Sequence, residues 1–445
     1  MGLQDFIVTP ILLILVYSLA IIIRRNVTDK VISKYFIPAL TLKIIGAISL
    51  GLIYQFYYKG GDTFNYFERG SKYIWEAFRD SPVKALQLMF ANGEYNPETF
   101  EYASKIIYYN DLPSYFVVRI TSFFDLFTFH TYSATAVLFA VFSFSGLWAM
   151  YTVFYRMLPR MHLQLAIALF FVPSVFFWGS GILKDTITLG ALGWGIYAFA
   201  EIFLFKRNFI LGSVLLMFSF FIIYEIKIYI LLCLVPALLI WFYMASIGKI
   251  KNLVLKTLIL PFTIVFLAFA GYHSVRLIGE ENHRYNLERI SYTAESSARW
   301  LSYVSEKQEG SGYTLGDFDY STAGILRKTP AAIWVTLFRP YLWEVKNLVM
   351  FLSAIESFVL LIFTGIVIVS VILKRRIMAL FSNPIVVFCM IFSITFAFAI
   401  GLSTYNFGTL VRYKIPMMPF YIIAMFILLS YTKRPRKFVA FTSSE

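Results

Sequence analysis

LVMFLSAIESFVLLIFTGIVIVSVILKRR, residues 348–376, decides the fold class. From Leu348 to Leu373 the only charge is Glu356, and three bases follow at once, Lys374, Arg375 and Arg376. A helix of that length measures about 39 Å at 1.5 Å per residue, and a hydrocarbon core needs only about 20 apolar residues. Runs of the same kind lie near 6–23, 36–57, 132–155, 162–181, 186–205, 209–224, 228–247, 253–271, 384–402 and 415–431. Together they predict an all-α polytopic integral membrane protein of about eleven transmembrane helices. Over the whole chain 59% of residues are hydrophobic and 14% charged, against roughly 25% charged in soluble domains. The 209–224 run is short, so its join to the next through Glu225, Ile226 and Lys227 is expected below the membrane surface, with a re-entrant pair as the alternative.

The charges set an orientation. Arg24/Arg25, Lys30/Lys34, Arg156/Arg160, Lys206/Arg207, Lys249/Lys251/Lys256, Lys374/Arg375/Arg376 and the C-terminal bases from Lys433 alternate along the helices, hence share one face. The positive-inside rule makes that face cytoplasmic and puts the N-terminus outside. The net charge of +14 therefore reads as topology, and nucleic acid is excluded as a partner. Met1 to Asp5 carries no positive charge before the first apolar run, so that run is expected to remain as a membrane helix rather than a cleaved signal. Phe6 stands where a myristoylation motif wants Ser or Thr. Cys233 and Cys389 lie inside apolar runs, which leaves neither a disulfide framework nor a cysteine metal site.

The whole chain, 1–445, reads as one transmembrane domain with two long outer segments, 58–131 and 272–347. The first has helical apolar spacing at Phe64, Phe67, Ile74, Trp75 and Phe78, as expected of amphipathic helices on the membrane surface. Five short stretches then stand at outer helix ends: Lys59 to Tyr66, Pro173 to Asp185, Tyr224 to Lys227, Phe338 to Glu344, and Asn406 to Pro416. Bases are disfavoured on that face, so Lys184, Lys227, Arg339, Arg412 and Lys414 ask for an anion, and a lipid phosphate or pyrophosphate is the anion found at that depth. Asp62 is placed to deprotonate a sugar hydroxyl, or else to cap the helix that follows. Asp185 is a second candidate carboxylate, with capping of its own helix as the plainer role. Glu225 and Lys227 read as a mutually neutralising pair. None of the four histidines is placed as a base for Ser180, no zinc-hydrolase spacing occurs, and no phosphate-binding glycine loop for ATP is present.

The order of features resembles the EpsG/Wzy-like membrane proteins of bacterial polysaccharide loci. Gly61, Asp62 and Tyr66 stand near that family's Gly-x-Asp-x-x-x-Tyr signature, with Gly directly before Asp here, and Arg412-Tyr413 followed by Pro416 and Pro419 resembles a late segment of GT-C glycosyltransferases. The resemblance implies a GT-C-like or Wzy-like bundle in the bacterial cytoplasmic membrane. It also implies an outward-facing site that joins sugars or repeat units from a polyprenyl-phosphate or pyrophosphate donor to a saccharide acceptor. On that reading Asp62 and Asp185 are catalytic, and Tyr66, Lys184, Glu225, Lys227, Arg339, Arg412 and Lys414 bind the lipid phosphate or substrate. Partners are the lipid-linked donor, the acceptor, membrane lipid and other polysaccharide assembly proteins; no cofactor or metal is assigned. The rivals are a flippase for lipid-linked oligosaccharide, for which Lys43 and Glu201 are the nearest mid-helix charges, and a non-catalytic assembly factor.

Overall fold

The computed structural model describes residues 2–247, 312–316 and 321–433, with short pieces at 295–296, 299–300 and 303. It is helical throughout these residues, apart from an isolated antiparallel bridge between Gly312 and Asn406. The chain divides into two compact units, Met1–Ile228 and Tyr229–Glu445.

Unit 1 is built on α1 (Asp5–Val27), α2 (Ser33–Leu52), α8 (Tyr132–Met157) and α11 (Lys184–Phe199). Side chains fix their directions. Asp5 accepts from the Ser133 amide at one end (2.7 Å), while Trp148 and Tyr155 bond Val27 O and Asp29 at the other (3.4 and 2.7 Å), so α1 and α8 run parallel. Helix α2 returns between them: Tyr35 at its start bonds His162 (2.9 Å), and Thr63 beyond its end bonds Tyr132 (2.6 Å). Helix α11 runs with α8 because Gly146 faces Gly190 and Gly193, where a Cβ would lie 1.9–2.1 Å from an opposing carbonyl. The same pair is tied by Trp194 to Ser145 (3.0 Å) and by Arg156 to Glu201. Arg24, Arg25, Arg156 and Arg160 thereby gather at one end of the unit, with Lys206 and Arg207 just past α11, as the alternation of bases predicts. The opposite end carries α3 (Asp62–Tyr66), α4 (Lys72–Asp80), α5 (Pro82–Phe90), α6 (Phe100–Ala103) and α7 (Leu112–Thr128). Val83, Leu86 and Phe90 on α5 and Phe123 and Phe127 on α7 stay exposed, as expected of helices lying against a lipid surface.

One sequence reading changes here and one is met. The apolar run 162–181 is broken into α9 (His162–Phe170) and α10 (Pro173–Trp178), because Pro173 supplies no amide to a continuing helix. The runs 209–224 and 228–247 meet where expected: α12 (Phe209–Ile247) is two helical pieces joined at a kink at Lys227, whose φ of −149° and ψ of 70° are non-helical. The boundary between the two units falls one residue later.

Unit 2 contains the last part of α12, then α13 (Thr322–Phe338), α14 (Leu348–Leu373), α15 (Ala379–Ser382), α16 (Pro384–Ser403), α17 (Phe407–Tyr413) and α18 (Met418–Lys433). Trp241 stacks on Phe388 at 4.5 Å, Thr336 donates to Ala397 O (2.8 Å), and Thr364 bonds Tyr421 (3.0 Å), which knit α12, α13, α14, α16 and α18 into one bundle. Helices α17 and α18 meet at a bend of 68°. Asn406 caps α17 by accepting from Thr409 N (3.0 Å), and Pro416 and Pro419 keep it from running on into α18. Helix α13 lies within the segment read as an outer loop; most of that loop, and the 253–271 run, lie outside the described residues.

Among the described residues seven helices are long and apolar enough to cross a membrane, or eight if α17 and α18 count as one bent span. The difference from eleven comes from the broken 162–181 run, the two runs that follow one another across the kink of α12 and count once, the bent last pair and the undescribed run.

Candidate functional site

At the end of unit 1 away from the arginines, two elements bring charges together. The first is the α2–α3 junction. A π-helical turn, Ile53–Tyr57, leads into Gly60 and Gly61, whose φ values of 137° and 126° suit glycine alone. A Cβ at Gly61 would also lie 2.6 Å from the Tyr54 ring. Gly61 is thus the N-cap of α3 and Asp62 its first residue, half-buried and next to the positive end of the helix. Tyr66, four residues on, is 3% exposed and packs on Tyr108 with ring centres 5.2 Å apart.

The second element is the start of α11. Lys184 lies 3.8 Å from Asp111, and both stay partly open to solvent, at 22% and 40% side-chain exposure. Asp62, Asp185 and Lys227 also act on Lys184 electrostatically. The N-cap of α11 is Leu183, so Asp185 does not cap the helix. It is fully buried and receives the Lys227 ammonium, itself 4% exposed. This corrects the expected Glu225–Lys227 pairing. Lys227 leaves the helical path of α12 and reaches across to α11, while Glu225 faces the field of Arg119 on α7.

Arg119 is the residue that sequence reasoning passed over. It donates to Ala91 O, lies 4.8 Å from the Tyr115 ring centre, and keeps its Nε buried without a hydrogen-bond partner. A base inside an apolar, helix-forming stretch was the available signal. His130 was likewise set aside. Its Nδ1 bonds Asp125 (2.9 Å), whose other oxygen accepts from Thr135 (2.9 Å), and its ring stacks on Phe67 at 4.0 Å. With Phe129 and His130 both at φ 53°, this network fixes the turn between α7 and α8.

Beneath the carboxylates lies Lys43, 1% exposed in the middle of α2. It donates to Ser143 (3.1 Å), Val175 O (3.1 Å) and Gly179 O (2.6 Å). The last two belong to α10 and its C-cap, where the broken helix leaves carbonyls without amide partners.

Unit 2 holds its own group. Glu344 takes the Arg339 guanidinium on both oxygens, one at Nε and 3.1 Å, and Tyr313, Tyr341 and Phe407 surround it with ring centres 5.0–5.8 Å away. The charge of Arg339 is thereby met within the protein. Lys414, at the α17–α18 bend and 1% exposed, donates to Ser357 (3.2 Å), which in turn donates to Arg339 O (3.1 Å). Ser357 is nine residues into α14, roughly 13 Å along it. Arg412, one turn before the bend, is half-buried.

The chemistry of the unit 1 cluster is a half-buried carboxylate, Asp62, and a partly open ammonium, Lys184, beside Asp111 and a neutralised Asp185–Lys227 pair. Such a set takes an anion and a proton. Among the described residues no group of three or more His, Cys, Asp or Glu side chains converges as a cation ligand set. No family model matches the chain, and neither the curated proteins nor the solved structures contain a match.

Proposed function

We propose that the chain is a glycosyltransferase or polysaccharide polymerase of the bacterial cytoplasmic membrane, working at the extracytoplasmic face on sugars carried by a polyprenyl phosphate or pyrophosphate. The observation that carries this reading is Lys184, partly open to solvent, 3.8 Å from Asp111 and within the field of Asp62 at the end of unit 1 opposite the arginines. Asp62 accepts the proton of an acceptor hydroxyl as that oxygen bonds the anomeric carbon. The bond from that carbon to the lipid-phosphate oxygen breaks, and the oxygen leaves with the electron pair. Lys184 meets its charge. Asp185 and Lys227 hold α11 and α12 in place beneath and do not touch substrate. Within unit 2, Arg339 holds Glu344.

Purified protein in liposomes with a polyprenyl-pyrophosphate-linked saccharide is the test. Wild type should elongate the glycan, and Asp62→Asn, which keeps the shape of the first residue of α3, should lose at least about 100-fold in rate, within the range for a lost general base. Equal product from both would remove Asp62 from the chemistry. Thr314→Cys should react with a membrane-impermeant maleimide in intact cells; reaction only after lysis would reverse the orientation.

A flippase is the second reading, favoured by one observation: a short discontinuous helix, α10, with the buried Lys43 against its C-terminal carbonyls, is how many transporters build their sites. Movement of a labelled lipid-linked saccharide across the liposome bilayer, without glycan growth, would select it.

A further inference from the structure

At the arginine end of unit 1 a cavity of about 590 Å³ opens between α1, α2, α8 and α11. Its walls are apolar: Leu19 and Ile23 from α1, Phe36 and Leu40 from α2, Phe144 and Trp148 from α8. Along α1 the lining runs from Val16 to Val27, about 16 Å of helix, and half of a roughly 30 Å hydrocarbon core is the depth of one leaflet. The mouth is polar, formed by Asn26, Thr28, Asp29 and Arg156 at the ends of α1 and α8.

The charges at the mouth favour an anion. Arg156 gives part of its guanidinium to Glu201 and keeps 46% of its side chain exposed, and Arg24 and Arg25 fill the last turn of α1 immediately before Asn26. The acid among them, Asp29, is exposed, but its carboxylate is engaged by Val31 N (2.8 Å), Ile32 N (3.0 Å) and the Tyr155 hydroxyl (2.7 Å). Helix α1 itself has only 17% of its apolar window buried by the rest of the protein, so the groove behind it is poorly filled by protein.

We propose that this groove binds an anionic phospholipid of the adjacent leaflet, with one acyl chain between α1 and α8 and the phosphate at Arg156 and the α1 arginines. The lipid acts as a wedge that fixes α1. This site is at the other end of the unit from the charge cluster and stands without the glycosyl-transfer reading.

The test is thermal unfolding of the full chain in neutral detergent, with dioleoyl-phosphatidylglycerol or dioleoyl-phosphatidylcholine added, alongside native mass spectrometry of retained lipid. Phosphatidylglycerol should raise Tm by about 3–5 °C and remain bound, and phosphatidylcholine should do neither. Ala20→Phe fills the groove from α1 and should abolish the shift; Ala149→Leu, a smaller filling from α8, gives an independent reading should the first variant fold poorly. Arg24→Gln with Arg25→Gln leaves the groove intact and should weaken the preference for the anionic lipid. Equal stabilisation by both lipids, or an undiminished shift in the filled variants, overturns the proposal. So does a wild-type dimer that phosphatidylglycerol leaves unchanged, since a second copy would then hold the groove.

Discussion

At residue scale the Asp185–Lys227 pair is the most exacting feature of unit 1, with side-chain exposures of 0% and 5%. Removing one partner strands the other charge, so Asp185→Asn should cost about 3–5 kcal/mol, read as a lower midpoint of denaturation in detergent. Asp185→Leu combined with Lys227→Met should recover most of that loss, because the charges then leave together. Asp29 responds to pH instead. Partial burial pushes its carboxyl up, but the Ile32 amide, the Tyr155 hydroxyl and the Val31 amide outweigh it and hold the group below its ordinary value of 3.8. Its contribution to stability is therefore complete above the ordinary value and is lost as pH falls through the lowered one. Asp29→Asn should flatten that acid limb of the stability profile while leaving neutral pH nearly unchanged. Neither partnership could be read from sequence. Lys227 finds a carboxylate 42 residues away in preference to Glu225 two residues back, since neighbours at that spacing point to different sides of a helix.

Among elements, the α8–α11 contact depends on glycine. A Cβ on Gly146 would sit 1.9 Å from Gly190 O, closer than any repacking tolerates, so Gly146→Ala should push the helices apart. The cost should be at least the 1–3 kcal/mol typical of overpacking, measured as a drop in Tm. Gly365→Ala, where nothing lies within 4 Å, should leave Tm unchanged or raise it slightly. The helices themselves were legible because hydropathy is summed over twenty residues and survives local exceptions: α1, α2, α8, α11, α14 and α16 fall on the apolar runs nearly residue for residue. The breaks were not, because a run such as 162–181 stays apolar through Phe171 and Val172, and only Pro173 marks where the hydrogen-bonded ladder stops. Lys227, by contrast, does mark its break: the join expected through Glu225–Lys227 is a kink at that residue.

For the molecule as a whole, the alternation of bases correctly gathers the arginines of unit 1 at one end, whereas the clustering of Asp62, Asp111 and Lys184 arises only from packing. Lys43 adds a constraint of timing. A ribosome delivers α2 to the translocon with an ammonium at its centre, a position that costs about 2.5–3.5 kcal/mol in an isolated segment. The acceptors that relieve it, Ser143, Val175 and Gly179, are made at least 100 residues later. Helix α2 should therefore linger beside the translocon and commit to lipid only when α8 and α10 arrive. Chains truncated before Ser143 and carrying an engineered glycosylation acceptor on the 58–131 segment should insert α2 incompletely. Lys43→Leu should let the same truncated chains insert fully, trading a buried helix cap in the finished protein for an easier birth.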